Sequence, residues 1–102
     1  MANVNISEYP HVGVAGSFAA QIGSLPPLVA PQNLTPSGTS AQSAAFTANT
    51  RIIRVFTDTA IAIRVGDATG AGPVAVTTDT RMAANATEYF AVAPGQMAAV
   101  IT

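Results

Sequence analysis

Residues 51–65, RIIRVFTDTAIAIRV, constrain the fold more than any other stretch of this chain. From residue 60 to residue 65 every second side chain is a large aliphatic one, which is the pattern of a half-buried strand. From residue 51 to residue 57 both faces carry bulky side chains, which indicates a more central strand. Asp58-Thr59 separates the two, and aspartate tolerates the left-handed backbone angles of a two-residue hairpin loop. The sequence therefore predicts two strands paired as a hairpin.

Further strand candidates are short and are bounded by turn residues; they lie at residues 28–35, 42–47, 74–77, 81–84, 88–92 and 96–101. Pro31 interrupts the first of these, which confines it to a sheet edge or splits it. Residues 66–73, GDATGAGP, are the clearest loop. This spacing, with no convincing helix, predicts an all-β fold: a small antiparallel β-sandwich (jelly-roll-like) or a barrel. The predicted core consists of Ile53, Val55, Ile61, Ile63, Val65, Phe90, Val92, Met97 and Val100.

Residues 1–25 are rich in Gly, Ala and Ser and show no sustained periodicity. They still carry apolar side chains, so they do not have the composition of a typical disordered tail. We predict an extended N-terminal arm over residues 1–25, ordered by packing on something else, and a β-sandwich domain over residues 26–102. A flexible terminus is the alternative. A short helix over residues 17–22 would bring Phe18 and Ile22 together.

Composition excludes several classes of function. Charged residues make up 9% of the 102 residues, against about 25% in ordinary soluble domains. The chain has no lysine, and its four scattered cationic residues form no nucleic-acid footprint. The first seven residues lack the basic residue of a secretory signal, and no apolar run approaches the roughly 20 residues that cross a bilayer. Such a low charge suits either a Thr/Ser/Asn-rich surface or a surface covered by neighbouring chains.

Catalytic chemistry has few candidates in this sequence. His11 is the only histidine, and nothing fixes it beside a nucleophile. The glycine-rich loop lacks the Lys-Ser/Thr pair that completes a phosphate cradle. The absence of cysteine, together with the single histidine, argues against most zinc and iron–sulfur arrangements. We therefore expect no enzymatic activity, no cofactor and no metal.

Partner binding is the remaining prospect. We assign it to seven residues: Tyr9, His11, Val14, Phe18 and Ile22 in the arm, and Arg54 and Arg64 on one face of the central hairpin. The two arginines either pair with acidic residues of a neighbouring strand or bind carboxylates and carbonyls across a subunit boundary. A proline-broken edge and few charges leave sheet edges that natural proteins usually cover. We accordingly expect a homo-oligomer, a trimer or a dimer, that exchanges strands or arms.

From Ser37 onward the chain resembles a class of small structural proteins encoded among bacteriophage head genes. The residues that carry the resemblance are SGTSAQSAAFTANTRIIRVFTDTAIAIRVG, a Gly-Pro loop, and RMAANATEYFAVAPGQMAAVI. They form a pattern of strand and turn residues, not a catalytic signature. The resemblance implies a β-sandwich on the virion, made in the host cytoplasm, that acts as a capsid decoration (cement) protein.

On this interpretation the partner is the major capsid (coat) protein, and neither nucleic acid nor membrane is bound. Extended arms suit such a role because their affinity is multiplied when many copies bind one lattice. The alternatives are another virion component, such as a head–tail adaptor, a tail component or a head-fibre base, and a module that binds host glycans.

Overall fold

The computed structural model describes residues 2–11, 14–15, 18–19 and 27–102, and these contain strands and no helix. The strands are β1 (Val4–Tyr9), β2 (Val14–Ala15), β3 (Phe18–Ala19), β4 (Gln32–Leu34), β5 (Ala41–Gln42), β6 (Ile52–Thr57), β7 (Ile61–Asp67), β8 (Thr80–Met82), β9 (Ala86–Ala91) and β10 (Gln96–Ile101).

Two four-stranded antiparallel sheets pack face to face. The first sheet has the order β4-β1-β6-β9 and the second has the order β5-β10-β7-β8, while β2 and β3 form a separate two-stranded sheet. Most consecutive strands of the two large sheets lie in opposite sheets, which gives the jelly-roll-like sandwich that the sequence predicts. The all-β prediction is confirmed.

The core lies between the sheets and is formed by the alternate residues of each inner strand. Its buried members are Val4, Ile6, Phe46, Ile53, Val55, Ile61, Ile63, Met82, Val92, Ala98 and Val100, with Val65 and Phe90 packed against them. Eight of the nine predicted core residues thus belong to the core or pack on it. Met97 is the exception: it is half-buried and alternates with the inward-facing Ala98.

The predicted hairpin between residues 51–57 and 60–65 is wrong, although both strands exist. β6 pairs with β1 and β9, and β7 pairs with β10 and β8, so the two strands belong to different sheets. The turn at Asp58 crosses the sandwich, and its side chain bonds to the residue that precedes β1: Asp58 Oδ1 accepts a hydrogen bond from the backbone N–H of Asn3 at 2.7 Å. Each strand already has two neighbours, and no pairing edge is left for the other.

The prediction that residues 1–25 lie outside the sandwich is wrong for β1. This strand pairs with β4 on one side and with β6 along its whole length on the other. Val4 and Ile6 are fully buried and alternate with the half-buried Asn5, while Ser7 on the outer face is also buried. The chain leaves the sheet after Tyr9 and rejoins it beside β1.

The chain rejoins the sheet through a hydrogen bond from the N–H of Leu28 to the carbonyl of Glu8, at 2.8 Å. The described residues Glu8 and Leu28, which flank most of the predicted arm beyond β1, are therefore hydrogen-bonded neighbours. The predicted helix over residues 17–22 is also wrong where the structure describes it, because β3 pairs with β2. The rest of that helix, including Ile22, lies outside the described residues.

Two further predicted strands are shorter than expected or absent. Residues 74–77 form no strand, and residues 42–47 contribute only the end of β5. After β5 the chain still follows β10 through hydrogen bonds from the N–H groups of Ser43 and Phe46. β4 is an edge strand that begins directly after Pro31, as the proline predicts.

Candidate interaction surfaces

A buried carboxylate joins the start of the chain to the connection that precedes β6. Glu8 Oε1 accepts hydrogen bonds from the N–H of Thr47 at 2.9 Å and from the hydroxyl of Thr50 at 2.8 Å. Glu8 Oε2 accepts a bond from Gln32 Nε2 at 3.3 Å. The side chains of Glu8 and Thr50 are both buried. These bonds satisfy a carboxylate that would otherwise be costly to bury, so the role of Glu8 is structural.

The segment of residues 71–79, here called the strap, lies across the outer face of the second sheet. Gln42 Nε2 donates to the carbonyls of Ala71 and Pro73, at 2.7 and 2.6 Å. Ala99 stands between Gln42 and Arg64 in the sheet register, faces outward, and is nevertheless fully buried. The strap approaches this closely because the sheet is lined there by small residues.

The strap comes close to the backbone of Gly66 in the sheet beneath it. A Cβ atom placed on Gly66 would lie 3.2 Å from the Cβ of Pro73, which is tighter than most real contacts of this kind. Glycine is also favoured at residue 72, because the backbone φ of +72° there lies in the left-handed region. The glycines and the proline of the predicted loop therefore position the strap on the sheet.

The far end of the strap is fixed by an ion pair. Arg64 Nε and NH2 both donate to Asp79 Oδ1, at 3.1 and 2.8 Å, and Asp79 Oδ2 accepts the N–H of Val76 at 2.8 Å. These contacts, the Arg64 hydrogen bond foremost, lower the pKa of Asp79 below its usual value.

Two valines of the strap point into solvent; we call them the valine ridge. Val74 is 54% exposed and Val76 is 43% exposed, while Ala75 between them is buried against the sheet. The N–H of Ala75 donates to Ser40 Oγ at 2.9 Å. The ridge is thus an apolar projection held at a defined place on the second sheet.

The first sheet presents a different surface on its own outer face. Arg54 lies in register with Ser7 on one side and with Tyr89 on the other. Ile52 and Phe56 are half-buried on the same face, and Tyr89 is 49% exposed. We call this group the Tyr89 face. It combines an aromatic side chain with a cation, the residue types that are enriched at protein interfaces.

The structure separates the residues to which the sequence assigns partner binding. Arg54 and Arg64 lie in different sheets and do not share a face as predicted. Arg64 pairs with Asp79 within the chain, although Asp79 lies in the strap and not in a neighbouring strand as one of the two alternatives had it. Tyr9 is buried, whereas His11 is exposed just beyond the end of β1.

The rest of that assignment falls in the chain after His11. Val14 lies in β2 and Phe18 in β3, each paired with the other strand, and Ile22 lies outside the described residues. No contact in the described residues tests the assignment of partner binding to these positions.

Sequence reasoning missed Tyr89 and the valine ridge. The signal was present for both, because alternation places Tyr89 opposite the core residue Phe90 and places Val74 and Val76 opposite Ala75. The sequence did not indicate which face of each segment points to solvent.

Within the described residues no group of three His, Cys, Asp or Glu side chains is placed to hold a metal ion. None of the described segments is a helix long and apolar enough to cross a membrane. No family model, curated protein or solved structure matches the chain.

Proposed function

We propose that this protein is a structural component of a bacteriophage virion: a capsid decoration, or cement, protein that binds the coat lattice and stabilises it. The proposal begins from the resemblance of the chain beyond Ser37 to small phage head proteins. It assigns binding contacts to the protein and no catalytic chemistry. A rigid β-body of low charge is suited to that role.

The observation that carries the proposal is the placement of the two exposed apolar groups. The valine ridge lies on the outer side of the second sheet, and Tyr89 lies on the outer side of the first. The two groups face away from each other across a sandwich whose sheets are about 10 Å apart. One molecule can therefore contact two neighbouring coat subunits at once, which is what a cement protein must do.

A further contact with the coat is proposed for the chain between β1 and β4. Its apolar residues Val14, Phe18 and Ile22 supply the side chains for such a contact. The hydrogen bond between Glu8 and Leu28 fixes both ends of this segment to the β-body. A doubly fixed segment loses less entropy on binding than a free tail does, which favours affinity.

The test is binding of the purified protein to capsids that lack it. We expect it to co-sediment with the capsids and to raise the temperature at which they break. Replacing Val74 and Val76 together with serine should weaken binding about tenfold or more, because a tenfold loss corresponds to only about 1.4 kcal/mol. Val29→Ser is the matched control, since Val29 is 41% exposed but lies outside the valine ridge.

The copy number per particle provides a second readout. A number that scales with the coat lattice supports decoration, whereas a single ring of copies indicates an adaptor. Failure of the wild-type protein to bind such capsids would overturn the proposal. If the Val74 and Val76 double variant binds as well as the Val29→Ser control, the valine ridge is not part of the binding surface.

A further inference from the structure

The four edge strands of the sandwich differ in what they offer to a further strand. β5 has two residues, while β4 and β8 have three each. β4 is also flanked by Pro31 and Pro36. β9 is the exception among these edges: it runs for six residues, Ala86–Ala91, and contains no proline. Short and proline-flanked edges resist pairing, but a long regular edge accepts it.

The alternation of hydrogen bonds between β6 and β9 shows which N–H and C=O groups of β9 point away from β6. The N–H of Val92 donates to the carbonyl of Arg51 at 2.9 Å, which makes these residues a hydrogen-bonded pair. Such pairs alternate along an antiparallel ladder, so Phe90 and Glu88 also direct their backbone groups to β6. Thr87, Tyr89 and Ala91 direct theirs away from it, and all three residues are exposed.

We propose that two copies of this chain join at this edge. β9 pairs antiparallel with β9 of the second copy, about a two-fold axis that passes between the two Tyr89 residues. Each Thr87 then faces the partner's Ala91, and three residues on each strand complete their hydrogen bonds. The two first sheets merge into one sheet of eight strands.

Charge selects this register over the neighbouring one that has its axis at Glu88. If the axis passed through Glu88, the two Glu88 carboxylates would lie directly opposite each other, which is destabilising. With the axis at Tyr89, each Glu88 faces the partner's Phe90 and the two carboxylates are kept apart. The side chains that face outward along the pair, from Thr87, Tyr89 and Ala91, are all uncharged.

A second copy suits this edge better than a foreign strand for two reasons. The register is self-complementary, and the exposed Tyr89 rings meet across the axis and extend the Tyr89 face. Two-fold pairing also uses the β9 edge of both molecules, so that the merged sheet ends on both sides at the proline-flanked β4. The assembly is closed, as most homo-oligomers are.

Disulfide trapping tests the register directly, because the wild-type chain has no cysteine. In a hydrogen-bonded antiparallel pair the Cα atoms are about 5.5 Å apart, within the range that a disulfide spans. Tyr89→Cys should therefore form a covalent dimer on mild oxidation. Thr87→Cys is the matched control: the two copies of residue 87 are four residue steps apart, about 13 Å, too far to bridge.

A mixture of Thr87→Cys and Ala91→Cys proteins should form the mixed dimer, since the register places these positions opposite each other. Equal cross-linking of Thr87→Cys and Tyr89→Cys would overturn the proposal, because it would indicate random collision. Absence of cross-linking by Tyr89→Cys at protein concentrations where the wild type is dimeric would also overturn it.

Sedimentation equilibrium measures the non-covalent dimer. We expect the wild type to shift from monomer to dimer as its concentration rises, and Tyr89→Pro to remain monomeric with an unchanged far-UV circular dichroism spectrum. Proline is tolerated there because the N–H of Tyr89 points away from β6. Should that variant fail to fold, Tyr89→Lys, which places two like charges together, gives the same readout. A wild type that stays monomeric throughout, or a dimer that survives these substitutions, refutes the interface.

Discussion

Glu8 shows how one polar residue can occupy a core position at low cost. It shares the inward-facing row of β1 with Val4 and Ile6, but it lies where the connection before β6 closes the end of the sandwich. Three hydrogen-bond donors meet its two oxygens there, from Gln32, Thr47 and Thr50. These directed N–H and O–H groups satisfy both oxygens of the buried side chain.

Glu8→Gln should lower the free energy of unfolding by about 1–3 kcal/mol, because an amide NH2 group then faces a buried donor and leaves it unsatisfied. Urea denaturation measures the change. Glu88→Gln makes the same chemical change at an exposed position, and should stay within about 0.5 kcal/mol of wild type. Equal stability of the two variants would contradict this account.

We expect acid to weaken the attachment of the strap by protonating Asp79. Its pKa is lowered by the hydrogen bonds from Arg64 and from the N–H of Val76, so the folded state favours the ionised form. The resulting stability is present above the ordinary pKa of 3.8 and is lost as the pH falls through the lower folded-state value. The effect is modest because the side chain of Arg64 is 47% exposed and solvent screens the pair.

Asp79→Asn should accordingly be less stable than wild type at neutral pH, and the difference should shrink below about pH 4. Denaturation curves collected from neutral to strongly acidic pH measure this convergence. Glu88→Gln again provides the comparison, because its side chain makes no hydrogen bond or ion pair with any other described residue. A difference between Asp79→Asn and wild type that stays constant down to the lowest pH would show that the ion pair is not its origin.

At the scale of elements, β1 is an inner strand and not an appendage. It contributes two fully buried aliphatic side chains and bonds to a neighbour on each side. A chain without it must leave the edge of β6 unpaired and a cavity between the sheets. Losing even one buried isoleucine costs about 2–5 kcal/mol, and a domain of this size has only about 5–15 kcal/mol to lose.

Deleting residues 2–9 should therefore yield an unfolded or aggregating chain, as judged by circular dichroism and solubility. Replacing residues 12–25 with a short Gly-Ser linker should leave the sheet intact, because Glu8 and Leu28 are hydrogen-bonded neighbours that a short loop can join. The linker variant is thus the appropriate one for asking whether this segment binds capsids. A folded protein without residues 2–9 would contradict the assignment of β1 to the core.

At the scale of the whole molecule, the two sheets depend on each other. The chain passes from one sheet to the other at five connections, namely β4–β5, β5–β6, β6–β7, β8–β9 and β9–β10. Neither sheet consists of consecutive strands, so neither can form its hydrogen bonds before the other begins to assemble. Most residue contacts of the described chain are correspondingly long-range in sequence.

This topology predicts a single cooperative unfolding transition. Far-UV circular dichroism and tyrosine fluorescence should give coincident denaturation curves, which is the test of two-state behaviour. Tyr9 is buried in the first sheet, and a Tyr9→Phe variant distinguishes its signal from that of the exposed Tyr89. Separate transitions for the two probes would mean that one sheet unfolds alone.

The sequence by itself located several of the strands and most of the core, but it did not locate β1. Alternation is a local property, so it identified β6, β7, β9 and β10, and it placed Ile53, Val55, Ile61 and Ile63 in the interior. The proline before β4 likewise predicted an edge strand. The glycines and the proline of residues 66–73 predicted a loop, which is confirmed for residues 68–73, whereas Gly66 and Asp67 end β7.

Only the tertiary structure decided which strands are neighbours. Whether Asp58 closes a hairpin or crosses between sheets depends on the N–H of Asn3, which is 55 positions away in the chain. The inclusion of β1, the burial of Glu8 and the position of the strap likewise depend on partners distant in sequence. Alternation shows that a strand has two faces, but which face is covered, and by what, is decided by long-range packing that no local pattern records.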